Sequence, residues 1–233
     1  MASSRMDAMT LEQSVAVGPQ LYRLLRDRIV RGDLAPGARI SESEIAAGYK
    51  VSRQPVREAF IKLAEESLVE VRPQRGTYVR RISVPAVMTA RFVREAVEAD
   101  IVREAAQRIT PDMLAALETN LAAQRTVVDG DDPSRFMELD EAFHRQLAEA
   151  AGQPTIWDIL EDLKTQMDRV RHISARQFPR ERLIDQHAAV VAALRAGDPR
   201  AAEAEMRAHL RGVLTDLPAI AEALPEFFDD AGG

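Results

Sequence analysis

The sequence predicts a mainly α protein of two domains. The first is a small N-terminal unit of three helices and a β-hairpin, and the second is a C-terminal antiparallel all-α bundle of six to seven helices. Three observations predict this. From Val84 onward apolar residues recur at helical spacing, interrupted only by turns rich in Pro, Gly and Asp. The only clear β-type runs, Leu68–Val71 and Thr77–Val79, flank the turn Pro73-Gln74-Arg75-Gly76. Charge is also divided unevenly. Residues 20–82 carry 13 Lys/Arg against 8 Asp/Glu, a net of +5, whereas the whole chain is at −6 and the remainder therefore at −11.

These features set domain limits of 1–17 for a flexible tail, 18–82 for the basic domain and 85–228 for the bundle. A length of 233 residues exceeds what one small domain needs, and a 46% hydrophobic content supplies a core for each. The chain has no cysteine, which excludes a disulfide framework and thiolate chemistry. No apolar run approaches the roughly 18 residues that cross a bilayer, and no signal pattern opens the chain. A soluble, cytoplasmic protein with no membrane partner is expected.

In the basic domain, Leu21, Leu24, Leu25 and Ile29 form an apolar stripe on a helix from Gln20 to Arg31, which the Gly32-Asp33-Leu34-Ala35-Pro36-Gly37 turn ends. Ser41-Glu42-Ser43-Glu44 has the pattern of a capping box and opens a short helix to about Gly48. The turn Tyr49-Lys50-Val51 leads to a third helix with Ser52 as N-cap and Pro55 in its first turn. Arg53 and Arg57 share its exposed face, opposite Val56, Phe60 and Leu63. Helix, short turn and basic second helix make a helix-turn-helix, whose second helix suits a DNA major groove. Ordinary solvated arginines are the plain alternative. The neighbouring wing and the charge split favour DNA.

The run Gly32–Gly37, then Val51-Ser52-Arg53-Gln54-Pro55-Val56-Arg57-Glu58-Ala59, then Arg75-Gly76-Thr77-Tyr78-Val79, resembles the winged helix-turn-helix of GntR-family transcription regulators. The resemblance covers about residues 18–82. It implies DNA contacts from Ser52, Arg53, Gln54 and Arg57, with Ser43 at a further contacting position. Arg75 and Gly76 stand at the wing tip, near the minor groove. Two departures are Lys50 and Ser67, each standing where glycine is usual, with a cost of about 1 kcal/mol if the backbone there takes positive φ.

In the bundle, helices are expected over Pro85–Arg108, then from Thr110-Pro111 to about Val128, and over Ser134–Ala150. Further helices follow over Pro154–Ser174, Pro179–Ala196 and Pro199–Leu217, with a short terminal one within Ala219–Phe228. Its four histidines are His144, His172, His187 and His209. Asp140 and His144 are four apart and project from one helical face. Three imidazoles and a carboxylate from three helices can enclose a divalent metal. By spacing alone, unrelated histidines remain the simpler reading.

A second resemblance groups them. Asp140-x-x-x-His144, Asp185-Gln186-His187 with Ala193-Leu194-Arg195-Ala196-Gly197-Asp198, and Met206-Arg207-Ala208-His209-Leu210 are similar to the effector domain of FadR-type regulators, the FCD domain. This resemblance spans about residues 85–217. It implies a divalent metal on Asp140, His144, His187 and His209, zinc first, with nickel or manganese as alternatives. His172 matches no ligand position. Arg94, in Arg94-Glu95-Ala96-Val97-Glu98, matches the arginine that points to the ligand cavity and is suited to holding a carboxylate. The alternative for Arg94 is a solvated pair with Glu98. Arg171 is a second candidate effector contact.

The function these readings imply is a homodimeric, metabolite-responsive transcription regulator, a repressor, on a palindromic double-stranded DNA operator. Its effector would be a small organic acid, a carboxylate or sugar acid. One rival is a DNA-binding dimer with a purely structural metal. Another is a metal-dependent enzyme, but no motif supplies the positioned general base it would need, so no enzyme is expected.

Overall fold

The computed structural model describes residues 11, 12, 14–130 and 132–229. Most of the tail expected over 1–17, and the last four residues, fall outside the described residues. The chain divides into two compact units. One runs to Ser83 and takes in the chain from Leu224 onward; the other is Val84–Ala223.

The first unit contains α1 (Val17–Arg31), β1 (Arg39–Ile40), α2 (Glu42–Tyr49), α3 (Arg53–Glu65), β2 (Val69–Arg72) and β3 (Gly76–Val79). Leu21, Leu25 and Ile29 of α1 pack against Val56, Phe60 and Leu63 of α3 in a core that Leu68, Val69 and Val79 complete. Burying side chains of this size contributes about 1.5–3 kcal/mol each, which fixes the pitch of α3 and leaves its arginine face outward. The wing has a third strand: the sheet order is β1-β3-β2, antiparallel throughout, with Arg39 opposite Tyr78 and Arg72 opposite Gly76. At two residues, β1 is too short to leave a period-2 signal in the sequence.

The expected capping box does not form. Ser41 and Ser52 occupy N-cap positions with extended backbones, but neither hydroxyl bonds the first turn. Ser41 Oγ instead lies 2.8 Å from Ser43 Oγ. Glu42 and Glu44 remain in the first turn of α2, where the helix dipole favours them.

Lys50 and Ser67 both adopt left-handed backbone, with φ of 55° and 57°. The two departures from the family's glycines therefore fall where a Cβ is strained. Lys50→Gly and Ser67→Gly are each expected to stabilise the first unit by about 0.5–1 kcal/mol, measured by urea denaturation. A loss of stability in either variant would mean the left-handed conformation costs nothing there.

The bundle comprises α4 (Val84–Arg108), α5 (Pro111–Val127), α6 (Ser134–Ala150), α7 (Ile156–Leu163), α8 (Thr165–Gln177), α9 (Glu181–Arg195), α10 (Pro199–Arg211) and α11 (Val213–Ala223). Thr110 and Asp198 cap α5 and α10 as their positions suggest; Asp198 Oδ1 accepts from Arg200 N and Ala201 N, both at 3.0 Å. Two expected helices are each split. The 154–174 segment breaks at Lys164, and the 199–217 segment breaks at Gly212 rather than stopping before Pro218, which lies inside α11. At Gly212 the backbone bonds tighten to three-residue spacing, Gly212 N to His209 O and Thr215 N to Gly212 O, both 3.0 Å, which ends one helix and starts another.

A further difference concerns 225–228, which the sequence placed in the bundle domain. This stretch forms a short 3₁₀ turn, and Phe228 makes a parallel bridge to Ile82 in the first unit. Ile82 N donates to Phe227 O at 2.8 Å and Asp229 N to Ile82 O at 3.0 Å, with Ile82 and Phe228 both buried. Within the bundle, α4 packs against α6, α8, α9 and α10, and α5 against α6 and α9. Phe143, Val102, Leu121, Val190 and Leu210 form its core.

Candidate functional site

The bundle brings together four residues the sequence singled out. Asp140 and His144 come from α6, His187 from α9 and His209 from α10, and all four are buried. One ligand atom from each lies within 4.8 Å of the others. His209 Nε2 is 3.3 Å from His144 Nε2 and 3.4 Å from His187 Nε2, while His187 Nε2 is 3.6 Å from Asp140 Oδ1. Ligands about 2.1 Å from one ion at tetrahedral angles stand about 3.4 Å apart. His172 lies on α8, outside this cluster.

The outward nitrogens explain why the inward ones are lone pairs. His187 Nδ1 faces Gln124 Oε1 at 3.0 Å, and Gln124 commits its amide nitrogen to Asn120 Oδ1 at 2.7 Å. Asn120 in turn donates to Leu139 O at 3.0 Å. His209 Nδ1 faces Gln186 Oε1 at 3.1 Å. His144 Nδ1 is 2.6 Å from Glu98 Oε2, a close contact without hydrogen-bond alignment, to a carboxylate oxygen that favours a proton on that nitrogen because it can only accept. Each ring proton thus belongs on Nδ1, which turns three unprotonated Nε2 atoms toward one point. Asp140 Oδ1 is buried there without a hydrogen-bond donor. Buried acceptors facing one another with no donor are costly, and a divalent cation satisfies all four. The donor set therefore fits a metal ion.

The titration behaviour of these groups agrees. Burial foremost, with His144, Arg171 and Arg94 nearby, pushes His187 down to about 3 against the pull of Asp140. His209 is also pushed well below its ordinary value, by burial and then by His187 and His144. Both imidazoles are therefore neutral and ready to ligate at neutral pH. Burial alone would raise the Asp140 carboxyl, but the Arg171 guanidinium beside it holds it well below the usual carboxylate range. Glu98 is likewise held at about 2, because Arg94 and His144 outweigh its burial.

Sequence reasoning named the four clustered residues and missed their supports. In the sequence Glu98 stands only as the partner of a solvated Arg94, yet both side chains are buried in an ion pair. A signal existed: Val87, Ala90, Arg94, Glu98, Ile101 and Ala105 follow the buried stripe of α4, so the charged pair stands on core positions. Asn120 and Gln124 stand on the stripe of α5 with Leu117 and Leu121 in the same way. Glu98→Gln is expected to weaken zinc binding by about 10- to 100-fold while leaving all four ligands in place, read by competition with a chromogenic chelator. Unchanged affinity would mean that Glu98 does not orient His144.

Beside the cluster lies a small cleft of about 40 Å³, whose walls carry Arg94, Arg171 and His209. Arg94 pairs through Nε with Glu98, and its Nη2 is buried with no hydrogen-bond partner. Arg171 is more committed than expected. Its guanidinium pairs with Asp140 Oδ2 and, at 3.2 Å, with Asp168 Oδ1. It thus serves as counter-ion to the aspartate as well as cleft wall. Trp157 is fully buried and lies parallel to His144 with ring centroids 5.8 Å apart. It is the only tryptophan in the chain.

In the first unit, Ser52, Arg53, Gln54 and Arg57 lie exposed at the start of α3, and Ser43 is exposed on α2. Arg57 makes a two-pronged pair with Glu42, Nε and Nη2 each 3.2 Å from a carboxylate oxygen. Gln54 donates to Glu58 at 3.1 Å. Arg75 sits exposed in the turn between β2 and β3, and Gly76 begins β3 with a φ of +106°. A side chain at Gly76 would meet Arg39 Nε at 2.9 Å, so glycine there serves both backbone and packing. Among the described residues no helix is long and apolar enough to cross a membrane.

Comparison with known proteins agrees with this architecture. Residues 18–79 match the bacterial regulatory proteins of the gntR family, and residues 90–212 match the FCD domain. The chain is 40% identical over 221 residues to the HTH-type transcriptional repressor RspR of Escherichia coli, covering 94% of this chain and 97% of that protein. A solved structure of a putative GntR transcriptional regulator from Rhodococcus is 28% identical, with a TM-score of 0.71 over 87% of this chain and 98% of that one. The fold is also that of E. coli McbR/YncC, at a TM-score of 0.73 and 21% identity over 90% of this chain and 99% of that one.

Proposed function

The chain belongs to the GntR family of bacterial regulatory proteins and carries an FCD domain, and from that premise we propose a metal-dependent sensor that controls a DNA-binding dimer. As a family member it is a DNA-binding transcription regulator and not an enzyme. In the proposal, Asp140, His144, His187 and His209 hold one divalent ion, zinc first. A small organic acid enters the cleft, meets the ion and the unsatisfied Nη2 of Arg94, and changes operator binding by the winged domains. Two protomers would present α3 to successive half-sites of a palindrome, with Ser43, Ser52, Arg53, Gln54 and Arg57 at the major groove and Arg75 and Gly76 at the wing tip.

One observation carries the reading: three imidazoles with outward-fixed protons and an unpaired carboxylate oxygen converge beside a cleft that also exposes an arginine. His209 belongs to both the cluster and the cleft wall, which favours a sensing ion over a purely structural one. An acid can shift the regulator only by its different affinity for the DNA-competent and incompetent arrangements. The test is the operator affinity of the zinc-loaded chain, by fluorescence anisotropy, across a panel of small acids. At least one acid is expected to change it about tenfold, within the usual range of allosteric coupling. If no acid moves either the affinity or the melting temperature, the bundle is not a sensor.

A further inference from the structure

The walls of the cleft restrict the class of acid that fits it. Apart from the arginines and His209, the lining is Met137, Met167, Leu183, Leu210, Gly212 and Val213, with one further polar group, the pair Ser174 and Asp216. That group joins three helices. Ser174 of α8 donates to Asp216 Oδ2 of α11 at 3.1 Å, and Arg182 of α9 donates to the same oxygen at 2.6 Å. Arg182 is exposed while Asp216 is buried, so the trio stands at the rim of the cleft, between its apolar wall and solvent.

Resting on the sensor reading above, we propose that the effector is a carboxylate with an apolar body and one hydrogen-bonding group at its far end, and not a polyhydroxylated sugar acid. The carboxylate faces Arg94 and the ion. The body lies along two methionines, two leucines and a valine, none of which can satisfy a hydroxyl. Each hydroxyl stranded there loses its bonds to water and costs about a factor of ten or more in affinity. At the rim, the Ser174 hydroxyl, whose proton is committed to Asp216, and the Asp216 carboxylate both accept, so one terminal hydroxyl of the effector donates to them, a contact that a site built this way recognises strongly. This narrows the effector from small organic acids in general to short hydroxy acids with a hydrocarbon middle.

Calorimetry on the full-length, zinc-loaded chain tests this with butyrate, 4-hydroxybutyrate and gluconate as probes. Both four-carbon acids are expected to bind, 4-hydroxybutyrate the tighter, and gluconate at least tenfold more weakly than either. Asp216→Asn is expected to bring 4-hydroxybutyrate down to the affinity of butyrate while butyrate itself is unchanged; the melting temperature of the zinc-loaded variant shows whether it is folded. Gluconate binding as tightly as butyrate overturns the apolar body. Equal affinity of the two four-carbon acids for the unaltered chain overturns the rim contact, with no variant needed. If zinc binds and none of the acids does, while other carboxylates release DNA, the proposal fails and the sensor stands. If no carboxylate acts at all, the sensor reading fails with it.

Discussion

Replacing His187 with alanine is expected to lower zinc affinity by about a hundredfold to a thousandfold, because structural zinc sites gain roughly 10–16 kcal/mol from four ligands and about a quarter of that is lost with one of them. His187 donates its Nε2 to the cluster and is oriented by Gln124. It also stacks on Phe143 with ring centroids 4.2 Å apart, so alanine leaves a void in the bundle core as well. His187→Gln is the companion variant, since it fills more of that space while removing the imidazole. Both should purify with little metal and with the first unit still folded, because the two units have separate cores. Equilibrium dialysis against zinc, followed by elemental analysis, measures the loss. Normal zinc content in both variants would remove His187 from the site.

The second large effect concerns α3. Arg53→Ala is expected to reduce operator affinity by roughly 30-fold to more than a thousandfold, since a base or phosphate contact from arginine contributes about 1–3 kcal/mol and the proposed dimer would lose two. Arg53 is exposed in the first turn of α3, so the melting temperature should stay within about 1 °C. Arg57 must also exchange its pairing with Glu42 for DNA, so Arg57→Ala should weaken binding without the same loss of sequence preference. Anisotropy titration of operator and scrambled DNA separates the two outcomes. Equal binding of Arg53→Ala and the unaltered chain would place the readout elsewhere.

The helices of both units were legible in the sequence because their apolar stripes and their Pro and Gly punctuation are local signals. The four clustered residues were legible for a different reason: histidines are few, and the motifs around three of them resemble a known domain. The less legible features depend on contacts between distant residues. Glu98, Gln124 and Gln186 acquire their role only when α4, α5 and α9 bring them against the outward nitrogens of His144, His187 and His209. The breaks at Lys164 and Gly212 leave helical backbone angles nearly intact, so neither residue carries the strong stop signal that a proline such as Pro218 carries in a sequence. The bridge between Ile82 and Phe228 joins residues far apart in sequence through backbone atoms, which no side-chain pattern encodes. Serine at an N-cap position was the misleading signal. At Ser41 a hydroxyl neighbour, Ser43, takes the place of the backbone N–H.

In the proposed sensor, Asp140, His144, His187 and His209 form one metal site beside the cleft. Trp157 reports on it directly, because the single indole lies parallel to His144 and bonds Glu141 through Nε1 at 2.5 Å. The decisive measurement is a zinc titration of the chelator-treated full-length chain, followed by tryptophan fluorescence. The account predicts a fluorescence change that saturates at one zinc per chain and is absent in His187→Ala. A flat titration in the unaltered chain, with no zinc retained after dialysis, would contradict it.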